Sequence, residues 1–550
     1  MHHGQKGTIE VVGEREVVDD TARSSSDSGF RFGRIFHGLP PFRPTDTSLK
    51  ALGAEMTRPF TPPGGNFSAL PAGYTYFGQF IDHDMTKDDT AADPDVAPEV
   101  GEVPDNMKQA RSPSLDLDSL YGRPKGADPI LMKEDGIRFR FGPTTATPGD
   151  SPFTGPPSDR VFDRGDVPRS NLPADRGKAL IGDPRNDENL IVQQFHLAML
   201  KFHNKVVDAL EAANHGLAAG DLFDKARTLT TLHYQWLVLN DFVRRIVDPQ
   251  TFAAVMGTGD LSGADTVRVN PLVFRISVAQ IPPMPLEFSG AAYRLGHSLV
   301  RETYAWNMFF KPGTSFEQFF RFTNLSGQIG RSDGLPTFPS NWLADWRQMF
   351  ELETVAGFPQ FTRGTAAGQV PLNLARKLDT HLAPVLGQLP FNGGNLASRN
   401  LVRGSRLGLP SGQDIAAAIV RAGDPAAAPM SPADMLKGLP AEAQEVLVRF
   451  EFHQKTPLWF YILKEAENAG GERLGPVGSR IVVETFLALI RASMVSIFTA
   501  SAAQPDDLKV FNPAASTVTM PGGEPIVSIP HLLAFVGDVD MLGDALLPAA

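Results

Sequence analysis

Helical periodicity of the apolar residues constrains the fold of this chain more than any other feature of its sequence. Apolar residues recur at helical spacing from Leu190 to Ala213, a run that stops at Asn214-His215-Gly216, and again from Ala226 to Ile246 before Asp248-Pro249. Runs that alternate polar and apolar residues, as a half-buried strand does, are sparse. The sequence therefore predicts a mainly α fold with long loops and few strands.

The distribution of Pro, Gly and polar residues divides the 550-residue chain into three segments. Residues 1–65 are polar and poorly periodic, which predicts a largely irregular N-terminal arm. No Gly/Ser-rich linker interrupts residues 66–505, so we expect one large helical domain there, followed by a C-terminal extension at 506–550. Residues 86–185 are rich in Pro, Gly and Asp and predict loops and short elements.

Net charge and cysteine content exclude several classes of protein. The charge of -11 and the pI of about 5.6 argue against nucleic acid or an anionic membrane surface as the main partner, which favours small molecules. The chain contains no cysteine, which excludes a disulfide framework, a zinc ribbon, an iron–sulfur cluster and a thiolate-ligated haem. The oligomeric state cannot be derived from these quantities.

No targeting or membrane-spanning segment is visible in the sequence. Residues 1–7 lack the apolar stretch of a secretory signal, so we expect a cytoplasmic protein or export by a non-classical route. The most apolar late stretch, Ile481 to Phe498, contains Glu484 and Arg491, which a bilayer span would not tolerate. This stretch therefore predicts a core-facing helix.

Two histidines, His83 and His297, lie in segments that suit the two sides of one haem iron. A haem that splits hydrogen peroxide needs one imidazole to bind the metal and a second that stays off the metal and moves a proton. Since the chain has no cysteine, histidine is the expected axial ligand.

The segment from Phe77 to Asp84 presents two polar surfaces if it is a helix. Gln79 and His83 are four residues apart and share a face, with Asp82 at its edge, while Asp84 turns away by about 100°. A lone His-Asp pair is more often the acidic end of an ordinary amphipathic helix. The order of all eight residues is much more specific.

This segment resembles the distal motif of the animal-type haem peroxidases of the peroxidase–cyclooxygenase superfamily. Residues 456–461 and 474–498 also look like bacterial members of that family. The resemblance implies a helical fold with haem b buried between distal and proximal helices. It also implies a role for each polar residue of the motif: His83 as the acid–base, Gln79 as a hydrogen-bonding partner of water or halide, Asp82 as an ester to a haem methyl, and Asp84 as a calcium ligand.

The loop from Ser112 to Gly122 has oxygen-bearing residues at every second position, a spacing by which a short loop can surround a hard cation. The alternative is an Asp-rich turn without metal, and Tyr121 excludes an EF-hand because that motif requires glycine there. The loop is similar to the family's calcium loop, which implies one calcium ion. Its ligands would be Ser112, Ser114 through its carbonyl, Asp116, Asp118 and Asp84.

The segment from Gly182 to Asn189 stands before the predicted long helix, where the helix dipole favours a glutamate in any case. It also resembles the family's distal-arginine motif. The resemblance implies that Arg185 polarises the peroxide O–O bond and that Glu188 is the second ester-forming carboxylate. The myeloperoxidase branch has Met after this Glu, whereas this chain has Asn189, so no third covalent link to haem and no efficient chloride oxidation are expected.

Other histidines are interpreted as structural. His196 and His203 are seven residues apart on one helix face, but hydrogen-bonded core residues explain them more simply than a metal pair. The remaining ones have no useful partner spacing: His37, His215, His233, His381, His453 and His531.

On the proximal side, Arg294 and His297 are three residues apart, so a helix from about Ala291 directs both to one face. A downstream run from Asn400 to Pro410 resembles the family segment in which Asn accepts the imidazole N–H and Arg pairs with a haem propionate, roles that would fall to Asn400 and Arg403. Residues 405–407 depart from the family pattern, and no role is transferred to them.

The residues beside His297 separate two reactions of this superfamily. Fatty-acid dioxygenases have a radical-bearing Tyr three residues before the proximal His, where this chain has Arg294, and Tyr293 is offset by one residue. The resemblance thus implies a peroxidase that reduces hydrogen peroxide through a ferryl species and oxidises iodide, bromide, thiocyanate or phenols. A haem-dependent fatty-acid dioxygenase and a non-catalytic protein that binds haem and calcium are the alternatives.

Overall fold

The computed structural model describes residues 9–10, 14–15, 30–89, 107–122, 126–147, 159–213, 216–276, 282–331, 335–389, 393–500 and 506–544. These residues form a mainly helical fold, as the periodicity predicts. The α-helices are Asp46–Met56, Gly73–Met85, Asp118–Tyr121, Leu190–Ala213, Ala219–Leu237, Arg244–Ile246, Pro249–Met256, Leu286–Ser289, Gly296–Leu299, Gln318–Arg321, Leu396–Arg406, Gly412–Ala422, Pro432–Leu436, Ala441–Arg449, Leu458–Asn468, Pro476–Ala492, Ile529–Val536 and Met541–Asp544.

Short 3₁₀ turns and small sheets complete the described fold. The 3₁₀ turns are Pro129–Leu131, Pro184–Asp187, Ala292–Leu295, Ser340–Trp342, Trp346–Gln348, Leu352–Thr354, Pro384–Gly387, Pro425–Ala427 and Pro513–Ala515. The strands, in sheets of two or three, are Ile9–Glu10, Glu14–Arg15, Phe30–Gly33, Phe67–Pro71, Lys108–Gln109, Thr266–Arg268, Met284–Pro285, Thr303–Tyr304, Thr314–Ser315, Leu374–Arg376, Phe498–Ala500 and Asp507–Val510.

The helix Leu190–Ala213, called the long helix below, lies at the centre of the core with the bounds that the periodicity predicts. Asn189 caps it, since its Oδ1 accepts the Val192 N–H at 3.0 Å. Nearly every side chain as far as Val207 is buried, against the helices Gly73–Met85, Ala219–Leu237 and Ile529–Val536. The predicted stop includes Asn214 and His215, which lie outside the described residues.

The helix Gly73–Met85, called the distal helix below, follows directly from the strand Phe67–Pro71. A Cβ at Gly73 would lie 2.3 Å from the Phe350 ring, so this close approach requires glycine. The Gly73 N–H donates to the Met349 carbonyl oxygen at 3.0 Å, which fixes where the helix begins.

The second predicted helix, residues 226–246, is not continuous. The α-helix Ala219–Leu237 passes into a π-helical turn, Val238–Val243, before Arg244–Ile246. This turn presents Asp241, which accepts hydrogen bonds from the Tyr74 hydroxyl at 2.8 Å and the Ile529 N–H at 2.7 Å. The wider turn thereby joins the distal helix to the C-terminal part of the chain.

The segment expected to be an irregular arm contains the helix Asp46–Met56, which packs closely against Leu396–Arg406. Leu49 and Leu52 of this helix are fully buried. The helix is therefore stabilised by packing against a helix that is distant in the sequence, which local sequence patterns do not indicate. Residues 506–544 of the predicted extension also pack back on the body through strand Asp507–Val510 and helix Ile529–Val536.

The late apolar stretch is a buried helix, Pro476–Ala492, but it ends before Phe498, where a strand begins. Its charged residues are paired inside the core: Arg480 contacts Glu484 at 3.0 Å and Asp424 at 2.5 Å. Among the described residues, no helix has the combination of length and apolarity that crossing a membrane requires. Between residues 86 and 185 the described segments are mostly loops, as predicted.

Candidate active site

The distal helix brings Gln79 and His83 to one face, and this face borders the turn Pro184–Asp187. The His83 Nδ1 lies 2.8 Å from the Asn186 Oδ1, and the Asn186 Nδ2 lies 3.0 Å from the His196 Nδ1. Since Oδ1 is only an acceptor, His83 donates from Nδ1. The Nε2 of His83 is therefore the nitrogen with a lone pair for a proton.

The electrostatic surroundings keep His83 neutral. Burial, with the nearby Arg185 cation, lowers the pKa of His83 to about 4. A neutral imidazole with an available Nε2 can act as a general base at neutral pH.

Arg185 lies beside His83 and is held from two sides. Its Nη2 donates to the His83 carbonyl oxygen at 2.9 Å, and its Nε and Nη2 donate to the Asp183 carboxylate at 3.1 and 2.8 Å. Arg111 contacts the same carboxylate at 2.6 Å. Burial opposes the ionisation of Asp183, but Arg185 and Arg111 hold its pKa well below the usual range. Asp183 thus anchors the guanidinium of Arg185, whose side chain is 24% exposed.

The two carboxylates predicted to form esters border the same face. Gln79 Nε2 donates to Glu188 Oε1 at 3.4 Å, while Asn189 Nδ2 donates to Gln79 Oε1 at 3.0 Å. Asp82 accepts a hydrogen bond from the Thr86 hydroxyl at 2.9 Å. Both carboxylates are half-buried, in a region where most side chains are fully buried.

On the proximal side, the predicted contact between His297 and Asn400 is present, but its polarity differs from the prediction. Asn400 Nδ2 lies 2.7 Å from His297 Nδ1, and Asn400 Oδ1 accepts a hydrogen bond from Arg294 Nη1 at 3.0 Å. The family resemblance implies instead that Asn400 accepts the imidazole N–H. Arg294 explains the difference, because a guanidinium has only donors and therefore takes the carbonyl oxygen.

His297 is neutral for the same reasons as His83. Burial, with the Arg294 and Arg399 cations, lowers the pKa of His297 to about 3. Its ring also lies edge-on to Trp459, with centroids 6.4 Å apart. A helical turn from Ala292 to Leu299 carries both Arg294 and His297, as predicted, although its first half is a 3₁₀ turn.

Arg403 does not point to the proximal histidine in this structure. Its Nη2 donates to the Asp88 Oδ2 at 2.7 Å, just beyond the end of the distal helix. Asp88 is half-buried, and its carboxylate pairs with the guanidinium that the family resemblance assigns to a haem propionate.

The residue set fits a haem. Within the described part of the chain, the Nε2 atoms of His83 and His297 make no hydrogen bond, although both imidazoles belong to packed elements. The distal helix contacts the helix Gly296–Leu299 that carries His297. Two neutral imidazoles on contacting elements suit the two sides of a haem iron, and Arg294 beside His297 suits a carboxylate of the porphyrin ring.

The predicted calcium ligands also lie together. Asp84 accepts the N–H groups of Leu117 and Ser119 at 3.2 Å, which joins the distal helix to the loop. The Ser114 hydroxyl donates to Asp116 at 2.5 Å and also contacts the Ser112 hydroxyl. The Ser112 N–H donates to Asp118 at 3.3 Å.

Two features of this loop indicate an acidic site under strain. Burial, with the neighbouring Asp118 carboxylate, raises the pKa of Asp84 to about 8, and burial also raises the pKa of Asp118. Leu117 has a φ of 57°, a left-handed conformation that a branched side chain rarely adopts. Even so, across the described residues no group of three or more His, Asp or Glu side chains has the arrangement of a metal shell. Calcium binding stays a prediction.

Sequence reasoning missed three residues that organise the site: Asp183, Asn186 and Asn189. Asn189 could have been found, because an Asn directly before an apolar periodic run is a typical helix cap. No local pattern indicates that Asn186 meets His83. The other histidines of the long helix are core residues, as interpreted: His203 contacts the Tyr121 hydroxyl and the Ile137 carbonyl, both at 2.9 Å.

A sequence profile of the family described as animal haem peroxidase matches residues 97–489. Thyroid peroxidase of Canis lupus familiaris is 27% identical over 308 residues, which are 54% of this chain and 28% of that protein. Chorion peroxidase of Drosophila melanogaster is 31% identical over 122 residues, 22% of this chain and 14% of that protein. The matches span less than a third of these relatives, and the profile match begins after the distal helix.

Two solved structures have a similar fold. Peroxidase A from Dictyostelium discoideum superposes with a TM-score of 0.52 and 15% identity, over 88% of this chain and 92% of that chain. Fatty acid alpha-dioxygenase from Arabidopsis thaliana superposes with a TM-score of 0.50 and 15% identity, over 94% of this chain and 78% of that chain. At this identity the likeness shows the fold alone.

Proposed function

The chain belongs to the animal haem peroxidase family, and we propose that it is a peroxidase that reduces hydrogen peroxide with small anions or phenols as electron donors. The observation that carries this proposal is the pair of neutral imidazoles, His83 and His297, with Arg185 beside the first. Neither Nε2 makes a hydrogen bond to the residues that the structure describes.

Haem b would be held by His297 at the iron and by Arg294 and Arg403 at its carboxylates, with Asp82 and Glu188 as candidates for ester links. Binding through His297 Nε2 requires the ring proton on Nδ1. Asn400 must then turn its oxygen toward His297, which it can do once Arg294 leaves Asn400 for a carboxylate of the haem. Arg294 would thus exchange the side-chain carbonyl of Asn400 for a carboxylate, which is a stronger hydrogen-bond acceptor because it is charged.

When bound, the haem supplies the redox chemistry that splits the peroxide O–O bond and accepts electrons from the donor. The residues of this chain move protons and stabilise charge. His83 Nε2 takes a proton from one peroxide oxygen and returns it to the other, which leaves as water. Arg185 stabilises the negative charge that develops on the oxygens, and Asp183 keeps its guanidinium in place.

The donor would be a small anion, namely iodide, bromide or thiocyanate, or a phenol. Gln79 supports this, because its amide nitrogen lies on the face of His83 and its oxygen is held by Asn189. Asn189 occupies the place where the myeloperoxidase branch has Met, and a side-chain amide cannot form the sulfonium link. We therefore expect no efficient chloride oxidation.

Peroxidase chemistry is favoured over fatty-acid dioxygenation by the environment of Tyr293. Its hydroxyl donates to the Gly78 carbonyl at 3.2 Å, and its ring stacks on Phe288 with centroids 4.7 Å apart. The Tyr293 phenol is thus held against the distal helix. It lies one residue before Arg294, which occupies the position of the radical-bearing tyrosine in dioxygenases.

The proposal is tested by mixing haem-loaded protein with a small excess of hydrogen peroxide and following the absorption spectrum, then adding iodide, bromide, thiocyanate or a phenol. We expect a rapid spectral change with peroxide and a return to the starting spectrum with the donor. A spectrum that does not respond to peroxide would reject the function. Oxygen uptake with unsaturated fatty acid and no peroxide would favour a dioxygenase.

Asn186 sets the tautomer of His83 in this mechanism, because its Oδ1 accepts a hydrogen bond from the Nδ1–H group. We expect Asn186→Leu to lower kcat/KM for hydrogen peroxide by about 10- to 100-fold, the size of effect typical of groups that orient a functional histidine. The ¹⁵N chemical shifts of His83 in haem-free protein should show the proton moving from Nδ1 to a mixture of both nitrogens.

The matched control is Asn204→Leu. Asn204, on the long helix, is buried like Asn186 and makes two hydrogen bonds, but to the Phe139 backbone. It should lower stability and leave kcat/KM unchanged. Equal losses of activity in the two variants would show that Asn186 acts only on stability.

We also propose that the loop from Ser112 to Asp118 binds one calcium ion together with Asp84. The buried carboxylates and crowded hydroxyls support this, since a divalent cation would relieve repulsion among them. We expect exhaustive chelation to lower the melting temperature by several degrees, because a ligand that binds only the folded chain stabilises it. Added calcium should restore it and magnesium should not.

Metal analysis that finds no calcium in the purified protein, with a melting temperature that chelator and calcium both leave unchanged, would leave the loop as an Asp-rich turn. Asp116→Asn provides the matched variant, which should show no response to calcium.

A further inference from the structure

Two tyrosines form a buried hydrogen-bonded pair next to the candidate active site. The Tyr76 hydroxyl donates to the Tyr304 hydroxyl at 2.9 Å, and their ring centroids are 5.9 Å apart. Tyr76 lies on the distal helix three residues before Gln79 and seven before His83, a spacing that places all three on one face. Tyr304 lies seven residues after His297. The pair therefore connects the distal helix to the segment that follows the proximal histidine.

The pair continues into a cluster of tryptophans. The chain has only five tryptophans, and Trp306, Trp342 and Trp346 lie in this one cluster. The ring of Phe319 packs between them and Tyr304, at 5.6 Å from Tyr304, 5.2 Å from Trp306 and 5.8 Å from Trp342. The Trp306 Nε1–H donates to the Trp342 carbonyl at 2.6 Å.

The cluster approaches the surface at Phe310. Trp342 is fully buried, but its ring stacks on Phe310 with centroids 3.6 Å apart. Phe310 is half-buried, and the two residues before it are exposed, Phe309 at 37% and Met308 at 44%. A donor that packs on Phe310 would therefore be separated from the Trp342 indole by a single ring.

Tyrosine and tryptophan, which make up most of this cluster, are the side chains that lose one electron most easily. Burial raises the pKa of Tyr76 and of Tyr304, so both phenols keep their protons. Oxidation of either phenol must then move a proton together with the electron, and the hydrogen bond between the two hydroxyls provides a route for a hydrogen atom from one phenol to the other.

We propose that Tyr76, Tyr304, Trp306 and Trp342 form an electron-transfer path between the haem pocket and the surface at Phe310, by which the protein oxidises donors too large to enter the pocket. This inference rests on the proposed peroxidase function, which supplies hydrogen peroxide as the oxidant. It adds a class of electron donor that the pocket itself does not admit.

The electrons balance over one turnover. Hydrogen peroxide takes up two electrons and two protons and becomes two water molecules, and two donor molecules lose one electron each. At each step along the path an electron moves inward. Tyr76 releases an electron and a proton toward the pocket, where the reduction of peroxide consumes both, and a hydrogen atom from Tyr304 restores it. An electron from Trp306 and a proton from solvent water then restore Tyr304, so no side chain is consumed.

The test compares a small and a large donor in the haem-loaded protein. Iodide enters the pocket, whereas reduced cytochrome c, a one-electron donor, is too large to do so. We expect Tyr304→Phe to lower the rate of cytochrome c oxidation by roughly ten-fold or more and to leave iodide oxidation within about two-fold of the original protein. The substitution keeps the ring that packs on Phe319 and removes only the oxidisable hydroxyl.

A second measurement locates the oxidised residues directly. Peroxide is added in the presence of a nitroso spin trap without any donor, and the labelled residues are identified by mass spectrometry. We expect label on Tyr304 and Trp342 in the original protein, and no label on Trp342 in Tyr304→Phe. The control substitutions Trp236→Phe and Tyr461→Phe, at buried residues outside the cluster, should change neither the labelling nor either rate.

The outcomes separate this inference from the proposed function. Rapid iodide oxidation, with cytochrome c oxidation that is equal in the original protein and Tyr304→Phe, would overturn the path alone. Label confined to Tyr293 would also overturn it. Absence of both iodide and cytochrome c oxidation would overturn the proposed function and the path with it.

Discussion

Replacing His83 with alanine should lower kcat/KM for hydrogen peroxide by about 100- to 10,000-fold, the range that a positioned acid–base contributes. His83 is the only group for which the described structure shows a neutral imidazole beside Arg185 with its Nε2 available. Haem content should not change, because the proposed iron ligand, His297, is on a different element. Stopped-flow absorbance after mixing with peroxide measures the rate, and the haem absorbance per protein measures the content.

A matched control for this substitution is His453→Ala. Among the described residues, the His453 ring makes hydrogen bonds to the Leu447 carbonyl and the neighbouring Gln454 and to none of the predicted site residues, so its removal should leave the peroxide reaction unchanged. A His83→Ala variant that reacts with peroxide as fast as the original protein would remove His83 from the mechanism. Loss of haem from that variant would instead indicate that His83 holds the cofactor.

Replacing Asp183 with alanine should lower the free energy of unfolding by about 3–5 kcal/mol, the cost of leaving a buried charge without its partner. Asp183 is fully buried and holds two guanidinium groups, Arg111 at 2.6 Å and Arg185 at 2.8 Å. Its removal leaves the Arg111 cation inside the core and frees Arg185 to move away from His83. Denaturant unfolding, followed by tryptophan fluorescence, measures the stability.

The exposed ion pair between Arg138 and Asp208 provides the comparison. Its N–O distance of 2.8 Å equals that of Arg185 with Asp183, but the Asp208 side chain is 57% exposed. Asp208→Ala should cost no more than about 1 kcal/mol, because solvent screens both charges. Similar losses in Asp183→Ala and Asp208→Ala would show that Asp183 does not carry the buried network. The peroxide reaction should slow only in Asp183→Ala, since only that substitution releases Arg185.

Much of the helical fold could be predicted from local sequence patterns. The long helix has the predicted bounds, because apolar residues at helical spacing and a capping Asn189 act within a few residues of one another. The discontinuity after Leu237 could not be predicted, since the π-helical turn depends on Tyr74 and Ile529, which bind Asp241 from distant parts of the chain. For the same reason the helix Asp46–Met56 was missed: it is buried against a helix 340 residues later.

The candidate site was predictable where its residues follow one another on a single element. Gln79, His83 and Asp84 take the faces that a helical period gives them, and Arg294 and His297 share one turn. The partners of these residues were harder to predict. Asn186 meets His83 across 103 residues, and Asn400 meets His297 across another 103.

Sequence by itself determined which side chains share a face of each helix, because that depends only on the 3.6-residue period and on chemical type. It also determined the family, since motifs in order along the chain carry that information. Only the tertiary structure decided how the polar atoms pair: Asp183 with two arginines, Asn186 with His83, and Asn400 with Arg294 through its oxygen. The physical reason is that a buried donor or acceptor binds whatever complementary atom packing places beside it, and packing depends on every element of the core.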